Sequence, residues 1–431
     1  MKLFQQMLVA GATLSLLAPV AAKASDVINL EEMNSYSSSK KNSSRLDSNT
    51  FINEVSEDIA NLKGRVDGLE VRQNEFEAGG FSDTTTLDGK AVFALMGTDH
   101  SEVKTDGTDS YKAAYQYTMN LNSSFTGDDN LYVRLRSGNG QSSNFTTKTF
   151  GTYLSMGSGN TDILKVDKIW YTFPVGDDNT FYVGPKIENY YMHATTPSIY
   201  KPVTKQFTLG GNGAAYGAST KTGAGWAYNA DNGFAISSNV VSGNSGLLTD
   251  GQATSWATQV GITKPQYSAS LMVNQKYNGW EDTYYTTDLG HRRLADGATA
   301  TQQTANSTNY GLRAWWRPLE TGTATPSISL GYDLSTIDAA SVDGTIDETN
   351  AWFVGLNWAD IFQADDKIGL AFGQPQTRED EAVDPFAYEA YYEFKANDSV
   401  TITPTIFGGN DRNGTAGDDI FGTVLQTTFK F

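Results

Sequence analysis

Residues 388–406 read YEAYYEFKANDSVTITPTI. Tyr388, Ala390, Tyr392 and Phe394 alternate with Glu389, Tyr391 and Glu393. After Ala396-Asn397-Asp398 the alternation resumes, with Val400, Ile402 and Ile406 set against Thr401, Thr403 and Thr405. Successive side chains of an extended chain point to opposite faces, so a period of two marks a strand with one apolar and one polar face. Two such runs joined by a short polar turn predict an antiparallel hairpin.

The same period recurs along most of the chain. Tyr115, Tyr117, Met119, Leu121 and Phe125 alternate with polar residues, as do Ile328, Leu330, Tyr332 and Leu334. At the end, Phe421, Leu425, Phe429 and Phe431 fall on one face. About sixteen strands follow, near 86–95, 114–125, 130–137, 163–173, 180–188, 216–229, 234–241, 255–263, 267–277, 308–316, 327–334, 350–358, 367–373, 387–394, 400–407 and 420–431. Short turns, such as Gly127-Asp128-Asp129 and Lys264-Pro265-Gln266, alternate with long polar connections such as 138–162, 189–215 and 278–307. Short turns on one edge and long loops on the other are the layout of a transmembrane antiparallel β-barrel. An even strand count puts both barrel ends on the short-turn side, the expected periplasmic side. A soluble sandwich has no need of a long loop at every second connection, and no fixed-period repeat is present. Hydrocarbon offers no partners to backbone N–H and C=O groups, so only helices and closed sheets can cross it. Aromatic pairs such as Trp226/Tyr228, Trp315/Trp316, Trp352/Trp358 and Tyr391/Tyr392 sit at expected strand ends, where they suit the two membrane interfaces.

Composition narrows the function. The 431 residues include no Cys and carry a formal net charge of −18. Disulfide scaffolds, thiol catalysis and cysteine-bound metals are thereby excluded. An acidic chain is a poor nucleic-acid partner, because phosphate binding needs clustered Lys and Arg. A ring of about sixteen strands encloses more space than its side chains fill, so water enters and a diffusion pore is the direct reading.

Ahead of the strands, Met7–Ala18 is a short apolar run, and Ala22-Lys23-Ala24 is a small-x-small cleavage pattern. Residues 1–24 therefore read as a signal peptide and 25–50 as a flexible polar linker. Residues 51–77 carry Ile52, Val55, Ile59, Leu62, Val66, Leu69 and Phe76 at heptad spacing, with opposite charges flanking the seam. They predict a coiled-coil oligomerisation helix, whose seam leaves the number of chains open. Residues 78–84 link it to the barrel domain, 85–431.

Several segments resemble a known family. MKLFQQMLVAGATLSLLAP at the start, LKGRVDGLEVRQNEFEA (62–78), KIWYTFPVGDDNTFYVGPKIE (168–188) and the tail from AYYEFKANDSVTITPTIFGG (390–409) to FGTVLQTTFKF (421–431) are similar to cyanobacterial outer-membrane porins of the carbohydrate-selective OprB type. The resemblance implies trimeric diffusion channels for small hydrophilic solutes and inorganic ions. Such proteins usually carry a surface-layer-homology module that grips peptidoglycan-linked polymer. Here only residues 25–50 occupy its place, and they show no folded pattern.

Alternation assigns Lys90, Arg134, Arg136, Lys186, Lys276 and Arg313 to the polar, lumen-facing side, together with Asp88, Glu188, Asp333, Glu389 and Glu393. Basic residues gather on early strands and acidic ones on later strands across the ring, which predicts a transverse field. The connection at 189–215, with Tyr190, Tyr191, His193, Tyr200, Lys201 and Lys205, is the candidate to fold inward and narrow the pore. No cofactor or metal is expected. The acidic run around Asn410–Asp419 faintly resembles a calcium loop, and the simpler reading is a solvated surface. The three His, at 100, 193 and 291, all fall in expected loops. No nucleophile elbow or phosphate loop is present, so a barrel hydrolase ranks behind a channel, as does a structural barrel with a plugged pore.

Overall fold

The computed structural model describes residues 62–63, 65–66, 84–100, 111–140, 145, 153–158, 160–211, 216–217, 220–244, 247, 249, 251–280, 285–287, 306–338, 348–379 and 381–431. The signal peptide, the polar linker, most of the coiled-coil segment and His291 lie outside them. Within 51–77, Leu62, Lys63, Arg65 and Val66 are helical. The chain divides into two compact units, Met1–Arg72 and Gln73–Phe431.

The second unit is one closed sheet of sixteen strands. In chain order these are β1 Thr85–His100, β2 Lys112–Ser123, β3 Asn130–Gly138, β4 Lys165–Val175, β5 Asn179–Glu188, β6 Thr220–Asn229, β7 Phe234–Ser242, β8 Thr254–Thr263, β9 Tyr267–Tyr277, β10 Asn306–Trp316, β11 Ser327–Asp338, β12 Glu348–Ala359, β13 Lys367–Arg378, β14 Phe386–Lys395, β15 Val400–Asn410 and β16 Ile420–Lys430. Every strand pairs antiparallel with its sequence neighbours, and β1 closes on β16 from Lys90↔Lys430 to His100↔Ile420. Two backbone bonds finish the seam: Gly89 N donates to Phe431 O at 2.8 Å, and Phe431 N donates to Gly89 O at 3.1 Å. All the expected strands are present. Four of them, β1, β11, β13 and β15, run further into the long connections than their apolar pattern marks. One result is that His100 ends a strand rather than lying in a loop.

The two faces differ as a membrane barrel requires. Leu95, Leu271, Leu312, Leu330, Tyr332, Phe421 and Leu425 stand exposed on the outside. Gln116, Asn239, Gln259, Asn274, Asn309, Ser335 and Thr405 are buried on the inside. Among the described residues no helix is long and apolar enough to cross a membrane, and the crossing elements are the strands.

Two short turns are built alike. Asp129 accepts from Phe125 N and Thr126 N at 2.8 Å each and from the Tyr171 hydroxyl at 2.6 Å. Asp366 accepts from Phe362 N and Tyr392 OH at 3.0 Å each. Each carboxylate thus satisfies turn amides and ties the turn to a tyrosine two strands on. The Tyr171 bond and those amides hold the Asp129 carboxyl well below the usual range.

Candidate functional site

The interior of the barrel is occupied by the connection after β5. Asn189–Met192 forms a turn of 3-10 helix, and the chain then follows the inner wall from strand to strand. Ala194 N donates to Ser237 Oγ of β7 at 3.1 Å, and Thr195 N to Gln259 Oε1 of β8 at 2.9 Å. Trp315 Nε1 of β10 donates to Thr196 O at 3.1 Å, and Ile199 N to Ser329 Oγ of β11 at 3.1 Å. Glu389 of β14 receives four bonds, from Tyr200 OH (2.9 Å), Val203 N (3.1 Å), Thr204 N (2.6 Å) and Thr204 Oγ1 (2.5 Å). The connection therefore lines the wall from β7 to β14.

Apolar side chains reinforce that course. Met192 packs with Trp170, Ile187 and Val241. Tyr200 and Phe207 pack on Phe353, with ring centroids 5.8 and 5.6 Å away. A second connection joins from 153–158: Leu154 bridges Thr204, and Lys205 N donates to Tyr153 O at 2.7 Å. The backbone approach is tight at β11, where a Cβ on Gly331 would lie 1.7 Å from Gly210 O, so only glycine fits.

This course changes the meaning of the inward charges. Asp333 and Arg313 pair at 2.8 Å with each side chain only 1% exposed. Arg313 Nε also donates to Leu209 O at 2.8 Å, and its guanidinium lies 5.3 Å from the Tyr216 ring centre. Lys276 and Glu389 are buried as well. All four are buried; Arg313, Asp333 and Glu389 lie against the loop and do not line open lumen. Asp333 and Glu389 are thereby withdrawn from the expected transverse field, while Glu393 stays partly exposed beside Lys367.

The opposite wall is mixed: Lys90 is exposed, Arg136 is half-buried, and Arg134 and Lys168 are buried. Lys90 on β1 is exposed and pairs in register with Lys430 of β16. Arg134 and Arg136 of β3 lie inward with side chains 10% and 21% exposed, and both reach Asp167 of β4. Lys168 of β4 forms an ion pair with Glu188 and sits 5.6 and 5.2 Å from the ring centres of Tyr190 and Tyr191. Tyr132, Trp170 and Tyr191 continue this surface, with successive ring centroids 4.3 and 4.9 Å apart.

Asp167 and Lys168 escape a reading by alternation because β4 carries a bulge. Arg134 pairs with Lys168 while Leu135 pairs with Val166, which leaves Asp167 as the extra residue. At a bulge two neighbouring side chains oppose one partner residue. Two adjacent charges within an alternating strand were the signal in the sequence. A second bulge on β5 corrects the assignment of Lys186. Between Gly184 and Ile187 the register shifts, and Ile187 enters the buried interior cluster. Lys186 instead donates to Val166 O at 2.8 Å and is not a lumen residue by simple parity.

The remaining expected loop residues separate. His193 Nε2 lies 3.1 Å from Tyr216 O, and its Nδ1 lies 3.0 Å from Asn239 Nδ2. Its enclosure lowers the imidazole pKa to about 4, so the ring is neutral, donating through Nε2 and accepting at Nδ1. Lys205 holds its ammonium 4.8 Å from the Tyr153 ring centre. Lys201 is exposed near the short-turn end. Among the described residues no cluster of His, Asp and Glu could hold a metal ion.

Comparison with known proteins adds three findings. The family model described as carbohydrate-selective porin, OprB family, matches residues 42–431. An uncharacterized protein of Nostoc sp. PCC 7120 is 27% identical over 423 residues, covering 88% of this chain and 71% of that protein. Among solved structures, Pseudomonas putida OprB superposes with a TM-score of 0.57 at 11% identity, covering 81% of this chain and 94% of that one. Salmonella typhi OmpF gives 0.52 at 10% identity, covering 80% and 97%. The trimer form of Vibrio cholerae OmpT, an outer-membrane protein, gives 0.51 at 12% identity, covering 81% and 100%. At such identities the structural likeness bears on the fold alone.

Proposed function

Since the chain belongs to the carbohydrate-selective porin OprB family, a family of outer-membrane channels and not of enzymes, we propose that it forms a water-filled diffusion path for small hydrophilic solutes and inorganic ions. The observation that carries the reading is the asymmetric interior. The wall from β7 to β14 is covered by the chain's own loop, and Arg313 and Glu389 of that wall bond to the loop. The wall from β16 through β1 to β3 keeps Lys90 and Lys430 exposed and Arg136 partly exposed, with Arg134 buried beside it. Cationic groups along the open wall of a narrow channel favour anion entry. The chain's overall acidity has less influence, because charge on outer loops is screened beyond about 8–10 Å at physiological salt.

In this reading the short turns and the N-terminal segment face the periplasm. The coiled-coil seam of 51–77 joins copies of the chain, and a trimer agrees with the family resemblance and with the trimeric state of the OmpT fold relative.

Single-channel recording of the purified protein in planar bilayers tests the proposal. Discrete conductance steps with an anion-biased reversal potential are expected, and liposome swelling with sugars of increasing size reports whether carbohydrates pass. A second reading has one observation in its favour: the described parts of three connections, 153–158, 189–211 with Tyr216, and 285–287, pack inside the ring. A correctly assembled barrel with no conductance would make it a plugged structural barrel.

A further inference from the structure

At the short-turn end of the barrel a cavity of about 280 Å3 opens between the inner loop and the β10–β11 turn. Its wall includes Lys201 from the loop, Arg317 and Glu320 from the turn, Lys367 of β13, Asn357 of β12 and Tyr391 of β14. The volume is close to the lower end of the ~300–1,000 Å3 common for small-molecule sites. Tyr391 and Asn357 lie on inward-facing positions, so the cavity belongs to the lumen side of the sheet and not to the lipid side.

Three cations and one carboxylate, Glu320, line it, and one of the cations, Lys367, is already paired with Glu393 beside the cavity. Arg317 is held by its Nε, which donates to Pro265 O at 2.5 Å, and its guanidinium lies 5.7 Å from the Trp315 ring centre. The two terminal nitrogens remain as a planar fork, the geometry that grips phosphate or carboxylate through two bonds. Among the described residues no carboxylate lies within ion-pair distance of Lys201 or Arg317. Lys367 shares Glu393 at 3.3 Å with its own side chain 48% exposed. Beside the cations stands a polar-aromatic wall. Tyr391 is buried, and its hydroxyl oxygen accepts from Asn357 Nδ2 at 2.9 Å. Among the described residues the Tyr391 hydroxyl donates to no acceptor, so its proton is available to a bound group. One end of the cavity therefore offers positive charge, and the other offers an aromatic ring with hydroxyl and amide groups.

We propose that this cavity binds a sugar-sized solute carrying a phosphate or carboxylate, with the anion at Lys201 and Arg317 and the hydroxylated body against Tyr391 and Asn357. Under the channel reading, on which this orientation rests, the site stands at the periplasmic exit. It is separate from the Arg134/Arg136 wall on β3.

Isothermal titration of the purified full chain tests the site without requiring conduction. The probe is glucose 6-phosphate, with glucose and inorganic phosphate titrated separately. The expected result is binding of glucose 6-phosphate at least tenfold tighter than either component. Lys201→Ala with Arg317→Ala should weaken it at least tenfold, and Lys201→Glu alone should weaken it as well. Both cations are exposed, so these variants should assemble, which heat-modifiable migration checks. Arg134→Ala with Arg136→Ala should leave this binding unchanged. No binding, unchanged binding in the Lys201 and Arg317 variants, or equal loss in the β3 variant would overturn the proposal. Binding by a barrel that passes no current would support the site while ending the channel reading.

Discussion

At the scale of single residues, the decisive question is which inward charges meet water. Arg134 and Arg136 share Asp167, so the net sign of this patch rests on two cations against one anion. Replacing both arginines with alanine leaves Asp167 without these partners and turns the patch acidic. The reversal potential in a salt gradient should move toward cation preference, and Asp167→Asn should move it the other way. Unchanged potentials in intact barrels would reduce these charges to wall solvation. Lys201→Ala with Lys205→Ala should move it toward cations by less, because Lys205 lies against Tyr153. Glu389 has a different task. It is fully buried and collects four donors from residues 200–204. A hydrogen bond to a charged group contributes about 1.5–3 kcal/mol, and buried donors left unmet cost more than the bond itself. Glu389→Ala should therefore free the loop, seen as faster proteolysis within 189–211 and a larger, noisier conductance. Glu389→Gln keeps an acceptor and should do less.

At the scale of elements, the loop and the closing strand carry separate predictions. His193 ties the loop to Asn239 of β7 only while its Nδ1 is unprotonated. Its pKa of about 4 in the folded chain lies below the ordinary imidazole value of 6.5. The unfolded or released state then binds more protons, so stability of the docked loop falls as pH drops from about 6.5 toward 4 and levels off below that window. Hydrogen exchange at residues 190–196 should rise across this range, and His193→Gln should remove the step. The last strand acts through the backbone. β16 supplies both edges of the seam with β1 and β15, and Phe429 and Phe431 pack on Phe93 and Tyr117 outside it, with ring centroids 5.3 and 5.8 Å apart. An open edge in lipid leaves N–H and C=O groups unpaired at several kcal/mol each. Deleting Phe429–Phe431 should sharply lower the yield of heat-modifiable barrel, and normal assembly would refute that role.

At the scale of the whole molecule, the ring closes edge to edge through its own strands, which predicts assembly without the N-terminal unit. Deleting residues 25–80 should leave a β-rich, heat-modifiable product that still conducts. If that product assembles and fails to conduct, the division between helix and barrel is drawn wrongly. The sequence by itself determined the sixteen strands, their antiparallel order and the outward face, because a period of two is a local property of each strand. Alternation also placed Arg134, Arg313, Asp333 and Glu389 on the inner face, and the polar 189–215 connection was the candidate to turn inward, whereas the inward packing of Leu154 and Tyr285 from two other connections was not legible. Two kinds of fact required the tertiary structure. Bulges at Asp167 and before Ile187 shift the phase of alternation, and they exist only in relation to the neighbouring strand. The other is wetness: Tyr200 meets Glu389 across 189 residues of chain, and no local pattern reports a contact that distant. Period two decides that a side chain points inward. Whether it finds water or another part of the same chain there depends on packing across the ring.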